Sequence, residues 1–406
     1  MMAMTKTKTL IILLLALWFG ASCRDSGLDR GKAAELGLSP EQMKRVGDIV
    51  QEAVQSGDIP GAVVVVGRKG KVALKRAFGS SQLVPQRLPM TEDMIFDLAS
   101  LTKPLATATS VMILVEQGRF SLNEKVKDYV PDFEPYTDDA GKPGEDARLW
   151  HLLTHTSGLP ADLPSTDPVE LEKMLGPSIR TADLVSLIAK MKKTDPPGKA
   201  FRYSDLGHIT LAHIVYKITG QTIAEFAQQH IFGPLRMKHT FYSPPLEFRD
   251  KCVPTLVLDG KPLRGVVHDP LARLQGGVSG NAGLFSTADD LAVFCQMILN
   301  KGIYDGKRIL SHLTVERMTE IYPPAAFSGR GLGWDLDSAY STAGGDLFGP
   351  GSFGHTGYTG TSVWIDPQTD MFLIFLTNRV HPDDKGSVVV LRSRLANAAA
   401  AAVIKK

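Results

Sequence analysis

Phe96-Asp97-Leu98-Ala99-Ser100-Leu101-Thr102-Lys103 is the stretch around which the 406-residue chain organises itself. A serine hydroxyl is a weak nucleophile until a neighbouring group takes its proton. At the start of a helix, residues i and i+3 share a face, so Lys103 can reach the Ser100 oxygen. A buried lysine can lose its proton and serve as a base. A helix N-terminus adds a favourable field and free N–H groups for an oxyanion. On its own the pattern is short and built of common residues. A serine that caps a helix, followed by a solvated lysine, reads the same way. Just beyond it, the apolar spacing predicts a helix over 101–117, closed by Gly118.

Two clusters further along extend the reading. Tyr203-Ser204-Asp205 follows Pro196-Pro197-Gly198 and precedes a helix predicted over 206–219. A tyrosine beside a lysine can carry protons to and from a serine and a leaving group. The plainer alternative is a loop tyrosine, with Ser204 or Asp205 capping the helix. His355-Thr356-Gly357 precedes a strand predicted over 362–365. A glycine there lets substrate lie close to the strand edge, and the Tyr358 N–H can act as a second oxyanion donor. The plainer alternative is a turn with a surface histidine.

Around these clusters the chain alternates in type. Ser39-Pro40-Glu41 opens a helical pattern through Val54, with Ser39 as N-cap. β-Branched runs at 62–66 and 72–78 flank 67–70 as a hairpin. The 135–146 and 160–168 stretches read as surface loops, and 276–283, with four glycines, as a tight irregular loop. Helices are predicted over 181–190, 223–230, 288–299 and 387–405, and a second C-terminal strand over 371–377. Strands lie towards both ends and helices fill the middle. That order predicts one mixed α+β domain over 39–406, with a helical subdomain at roughly 104–275. Hydrophobic residues are 43% and charged residues 22%, which excludes a disordered chain. A formal charge of +2 argues against a nucleic-acid partner. Cys23, Cys252 and Cys295 lack zinc-site spacing.

The N-terminus reads as an address. Lys6 and Lys8 precede an apolar run, and no charge falls between Thr9 and Cys23, a span short of the ~20 residues a membrane helix needs. Residues 1–22 are therefore read as a signal peptide and 23–38 as an N-terminal tether. Cys23, directly after Gly20-Ala21-Ser22, resembles the lipidated cysteine of a bacterial lipobox, although Gly20 stands where leucine is usual. Plain secretion and a retained anchor are the alternatives. The expected location is the bacterial cell envelope, on its periplasmic or extracytoplasmic face, held to the membrane through a lipid on Cys23. Whether Cys252 and Cys295 pair in that oxidising setting is open.

Taken together, the three clusters resemble the penicillin-recognising serine hydrolases: the class C β-lactamase and D-alanyl carboxypeptidase group with its family VIII esterase relatives. The resemblance runs from about Pro60 to Asn378. It includes Leu152-Leu153-Thr154-His155-Thr156-Ser157-Gly158-Leu159-Pro160, Gly283-Leu284-Phe285-Ser286-Thr287 and Gly354-His355-Thr356-Gly357-Tyr358-Thr359-Gly360. It implies a β-lactamase/transpeptidase-like fold, an antiparallel sheet flanked by helices with a mostly helical subdomain. It implies Ser100 as acylated nucleophile, Lys103 and Tyr203 as proton-transfer partners, and the Ser100 and Tyr358 N–H groups as oxyanion hole. Asp205, His355, Thr356 and Gly357 fall at substrate-binding positions. The 276–285 and 354–360 stretches resemble relatives in peptidoglycan recycling, whose substrate is a muropeptide amide.

Two residues depart from the family pattern. Asp205 stands where asparagine is common, and a carboxylate there would hold Lys103 protonated, which favours Tyr203 or a shared Tyr–Lys proton as base. His355 stands where many members have lysine or arginine. A neutral imidazole serves a substrate carboxylate less well, so weak β-lactam turnover and better use of an uncharged ester or amide are expected. The expected activity is hydrolysis of a small ester, amide or peptidoglycan-derived substrate through an acyl-enzyme. A lipid-anchored penicillin-binding-type protein with negligible turnover is the rival.

Other patterns carry less. His151 and His155 have i, i+4 spacing on a predicted helix, but no glutamate follows His151 as in zincins. There is no G-x-S-x-G elbow and no P-loop. No metal and no organic cofactor is implied. His268 is read as a loop residue making a hydrogen bond, with lining of the cleft as the alternative. Asn281 is read as a loop residue with a substrate contact as the alternative, and Trp334 and Trp364 as core or rim aromatics with a sugar platform as the alternative.

Overall fold

Alternation along two strands sets the layers. Strand β1 (Gly61–Arg68) is buried along its whole length. Its Val63 and Val65 enter one core, and Ala62, Val64 and Val66 enter another on the opposite face. β9 (Met371–Thr377) divides the same way: Phe372, Ile374 and Leu376 against Met371, Leu373 and Phe375. Successive side chains of a strand point to opposite faces, so these runs of apolar residues mark a sheet covered on both sides. The structure, a computed structural model, describes residues 27–404. Cys23 and the 1–22 segment lie outside the described residues.

The sheet has six antiparallel strands in the order β7-β8-β9-β1-β2-β3. Here β2 is Lys71–Gln82, β3 Leu88–Pro89, β7 Phe353–Thr356 and β8 Ser362–Asp366. The N- and C-terminal strands meet at its centre, with Val64 opposite Phe375. A smaller sheet sets β6 (Leu284–Ser286) between β4 (Phe96–Asp97) and β5 (Phe241–Tyr242). One face of the main sheet is covered by α1 (Pro40–Gln55) and α11 (Val389–Ala400). Met43, Val46, Ile49, Val50 and Ala53 repeat at helical spacing and bury the inner face of α1. Ser39 caps it, its Oγ accepting the Gln42 N–H at 3.3 Å. The other face carries the larger core, built with α2 (Thr109–Glu116), α3 (Leu149–Leu153), α4 (Pro168–Leu175), α5 (Thr181–Lys190), α6 (Asp205–Thr219), α7 (Ile223–Ala227), α8 (Pro270–Leu274), α9 (Ala288–Leu299) and α10 (His312–Thr319). This is the α+β architecture that the alternation of elements leads one to expect.

Several expectations change in detail. The helix predicted over 101–117 is a composite. Ser100 lies in a 3-10 turn (Ala99–Leu101), Lys103–Ala108 is a π-helix, and the α-helical part begins at Thr109. Pro104 has no N–H to donate to the preceding turn, and its carbonyl accepts the Thr109 hydroxyl at 2.8 Å. The 223–230 helix likewise passes into a π-turn at Gln228–Phe232, and the closing helix is shorter than 387–405. From Gly27 onward the stretch read as a tether belongs to the fold: Arg30 bridges to Val72, Leu38 bridges to Val403, and Leu36 and Leu38 are buried. Cys252 and Cys295 are both free and buried. Trp334 and Trp364 are core residues, which removes the sugar-platform alternative. No helix among the described residues is long and apolar enough to cross a membrane.

Candidate active site

Ser100 follows β4 directly, in a turn fixed by a buried carboxylate. Asp97 Oδ1 accepts the Ala99 N–H at 2.9 Å, and its Oδ2 accepts the His268 N–H at 2.6 Å. Burial pushes Asp97 up to about 6, against the pull of these two amides. Ala99 has φ +47°, a left-handed conformation that costs a non-glycine residue energy. The Asp97 bond holds that peptide in place and so aims Ser100.

Lys103 is completely buried, and its ammonium has two hydrogen-bond acceptors and one ion-pair partner. They are Ser100 Oγ at 2.8 Å, the Asn281 carbonyl at 3.1 Å and Asp205 Oδ1 at 2.6 Å. Burial alone would strip its proton, but the Asp205 carboxylate, with Tyr203 beside it, outweighs burial and holds the ammonium well above its ordinary value. Asp205 Oδ2 accepts from Asn281 Nδ2 at 3.1 Å. Asp205 thus faces Lys103 and Asn281 and does not line the cleft, which corrects its placing at a substrate-binding position. Asn281 in turn accepts from Ser279. Its loop packs so tightly that a Cβ on Gly280 would lie 2.0 Å from the His208 carbonyl oxygen. Close backbone approach is the reason for glycine there.

Tyr203 enters from the start of α6. Its ring lies 5.1 Å from Lys103 Nζ, 5.9 Å from the Arg330 guanidinium and 6.1 Å from the His355 ring. His155 stacks on it at 4.3 Å and accepts the Ser204 N–H on Nδ1 at 3.1 Å. His155 is not on a helix with His151: α3 ends at Leu153, and His155 has φ +57°. Its position supports Tyr203 rather than a metal.

The opposite wall is the β7–β8 turn. His355, Thr356, Gly357 and Tyr358 line a cleft of about 320 Å³ together with Ser100, Tyr203, Arg330, Asp335, Tyr340, Arg379, Val389 and Arg392. The turn is bonded to the nucleophile segment by Thr359 Oγ1 to the Asp97 carbonyl at 2.8 Å and Thr361 Oγ1 to the Leu98 carbonyl at 3.1 Å. The Gly357 N–H donates to the Thr361 carbonyl and the Gly360 N–H to the Gly357 carbonyl. The Tyr358 N–H has no protein acceptor among the described residues. His268 stacks on the Tyr358 ring at 5.5 Å, beneath the turn.

His355 is buried and held well below its usual value by burial first and then by Arg330 and Lys103, so it is neutral. The cleft nevertheless carries permanent cations. Arg330, Arg379 and Arg392 line it, which removes the premise that exchanging a cation for His355 leaves the site without one. No sequence motif flags these arginines; they come from three separate segments that only the fold brings together. Asp97 and His155 lie within the stretches that carry the family resemblance, but their supporting roles depend on bonds to residues far along the chain. A larger open hollow, about 720 Å³, lies elsewhere beside Asp29, Lys69, Arg236 and Asp305 and contains none of the motif residues.

Comparison with known proteins bears on the family and the fold. The family model described as Beta-lactamase matches residues 46–397. An N-acetylmuramyl-L-alanine amidase of Bacillus subtilis (strain 168) is 33% identical over 370 residues, 85% of this chain and 82% of that protein. A Salmonella agona (strain SL483) protein named as a D-alanyl-D-alanine carboxypeptidase is 30% identical over 371 residues, 86% of this chain and 85% of that one. Among solved structures, EstCE1, a hydrolase with promiscuous acyltransferase activity, superposes with TM-score 0.71 at 23% identity, covering 90% of this chain and 99% of its own. A penicillin-binding protein homologue from Caulobacter crescentus gives TM-score 0.69 at 21% identity, covering 90% and 99%. At these identities the two structures speak for the fold.

Proposed function

The chain belongs to the Beta-lactamase family, and from that premise we propose that it is a serine hydrolase that forms an acyl-enzyme at Ser100. The observation that carries the reading is the 2.8 Å contact of Lys103 Nζ with Ser100 Oγ at the base of a cleft walled by Tyr203 and the β7–β8 turn. Ser100 Oγ bonds to the substrate carbonyl carbon as its hydroxyl proton passes into the Tyr203–Lys103 pair. Lys103, held as an ammonium by Asp205, has no place for that proton, which favours Tyr203 as the first proton acceptor, a role that requires its phenolate form. The Ser100 and Tyr358 N–H groups stabilise the developing oxyanion. The carbon–nitrogen or carbon–oxygen bond then breaks, the proton leaves with the amine or alcohol, and water hydrolyses the acyl-enzyme. No metal or organic cofactor enters these steps.

The substrate class is an ester, amide or peptide, and the name of the Bacillus relative favours a cell-wall-derived amide. Arg379 and Arg392 donate to backbone carbonyls of the turn and Arg330 Nη1 faces Asp335. Weak β-lactam turnover stands as part of the proposal on the ground that His355 is uncharged and that Arg379 and Arg392 are engaged with the turn, although Arg330 Nε and Nη2 have no hydrogen-bond partner among the described residues. The test is hydrolysis of p-nitrophenyl butyrate by the chain from Arg24 onward and by its Ser100→Ala variant. Activity lost in the variant supports the assignment, and equal activity in both overturns it. The cell envelope is the proposed location, with Cys23 the lipid-bearing residue. Radiolabelled palmitate should enter the wild-type chain and not Cys23→Ala; a Cys23→Ala variant that stays with the membrane overturns the anchor.

A further inference from the structure

We propose that Arg392 is a positioning residue for the oxyanion hole, orienting and polarising the peptide group that carries the Tyr358 N–H. The inference rests on the acyl-enzyme reading above. The Gly357 carbonyl and the Tyr358 N–H belong to one planar peptide unit. Arg392 Nη2 donates to that carbonyl oxygen at 2.7 Å and to the Thr361 carbonyl oxygen at 2.8 Å. One guanidinium nitrogen therefore grips both ends of the turn. Fixing the oxygen of a planar peptide fixes the direction of its N–H. A charged donor makes a stronger hydrogen bond than a neutral one. Drawing density towards the carbonyl also strengthens the N–H on the same unit.

The surroundings single out this arginine. Arg379 binds the next carbonyl, that of Tyr358, at 2.8 and 3.1 Å, and thus holds a different peptide unit. The unit whose N–H faces the attacked carbonyl is bonded by the Gly360 N–H from within the turn and, from outside it, by Arg392. Arg392 is 9% exposed on α11, a helix whose Leu391, Leu395, Ala396 and Ala399 serve the apolar layer. No carboxylate among the described residues pairs with it, and its acceptors are backbone carbonyls. Burying a cation without a counter-charge is costly, so this placement is poor as a stability device. Burial and the neighbouring Arg379 pull Arg392 down to about 9, and it is still charged at neutral pH. From the other side, Thr359 and Thr361 tie the turn to Asp97 and Leu98. The two oxyanion donors are thus set between the nucleophile segment and the first turn of the last helix.

The test uses Arg392→Ala and Arg392→Lys in the chain from Arg24 onward, with Arg394→Ala, a surface neighbour on the same helix, as control. Each is assayed on p-nitrophenyl butyrate and for the rate of Ser100 labelling by a fluorophosphonate. Loss of an oxyanion donor costs about 10²–10³ in kcat, so a misaligned one should cost about 10- to 100-fold. Arg392→Ala is expected to lose that much in kcat with little change in KM, and to label correspondingly slowly. Added guanidinium ion should restore part of the kcat of Arg392→Ala and none in Ser100→Ala. Arg392→Lys should fall between, because an ammonium can still reach one carbonyl. A folded Arg392→Ala with wild-type kcat overturns the inference, as does a rise in KM at constant kcat, which would make Arg392 a substrate contact. Should Arg392→Ala fail to fold, wild-type kcat in Arg392→Lys overturns it. Absence of any Ser100 adduct in the wild-type chain overturns the acyl-enzyme reading itself, whereas an adduct with unimpaired Arg392 variants overturns only this step.

Discussion

Lys103 shows how far a single charge is set by its neighbours. With Asp205 at 2.6 Å its ammonium is held; with asparagine there, burial would dominate and the proton would leave at lower pH. Asp205→Asn should therefore move the alkaline rise in the rate of Ser100 labelling down the pH scale, by about one pH unit or more. Labelling rates measured across the neutral to alkaline range check this, and an unmoved profile would mean that Asp205 does not govern the Lys103 proton. The substitution also keeps a partner for Asn281, since an amide oxygen can accept from Nδ2 as the carboxylate does. At this scale the sequence was informative about Ser100, Lys103 and Tyr203, because reactive side chains at short spacing carry their own chemistry. It said less about Asp97, whose carboxylate reaches across to the His268 amide, 171 residues away.

The β7–β8 turn is the element on which the site closes. A Cβ on Gly357 would lie 2.2 Å from Thr361 Oγ1 and 2.4 Å from the Leu98 carbonyl oxygen, and neither can yield without opening the turn. Gly357→Ala should thus lower stability by about 1–3 kcal/mol and lower kcat much more than it changes KM. A melting curve beside steady-state kinetics tests both, and unchanged kcat would show that the Tyr358 N–H tolerates displacement. The helix after Ser100 teaches the reverse lesson. Its apolar pattern marks a helix correctly, but period alone does not distinguish an α-turn from a π-turn. The π-turn coincides with Pro104, which lacks an N–H, and with Thr107, whose hydroxyl donates to the Gly280 carbonyl at 2.7 Å in the buried interior. Strand positions were easier, because alternation over β1 and β9 follows directly from which side chains must leave water.

Across the whole molecule, buried histidines set the response to acid. Burial holds His151 and His268 down to about 4, and His155, His208 and His355 well below the usual 6.5. The unfolded chain takes up these protons near 6.5 and the folded chain does not, so stability falls as pH drops through that window. Asp97 and Asp290, pushed up to about 6 chiefly by burial, and Asp162, at about 7 for the same reason, act the other way. Burial raises Asp269 and Asp370 as well. These carboxyls keep protons that the unfolded chain has released near 3.8, and so favour the folded state as pH falls. The histidines prevail in the window near 6.5, because His213, His230, His239 and His381 are lowered by burial too. Each tenfold change in a site's proton affinity is worth about 1.4 kcal/mol. The melting temperature should fall markedly between pH 7 and pH 5 in a calorimetric series; a flat or rising series would contradict the balance. Local order in the sequence determined the elements and the motif residues of this protein, because periodicity, turn formers and nucleophile–base spacing act within a few residues. Only the tertiary structure decided which distant groups share the cleft. Arg330, Arg379 and Arg392 bear no mark in their own segments, and Asp205 meets both Lys103 and Asn281, 102 and 76 residues away along the chain, only in the folded molecule. Electrostatics and peptide orientation depend on distance in space, and folding, rather than position along the chain, sets that distance.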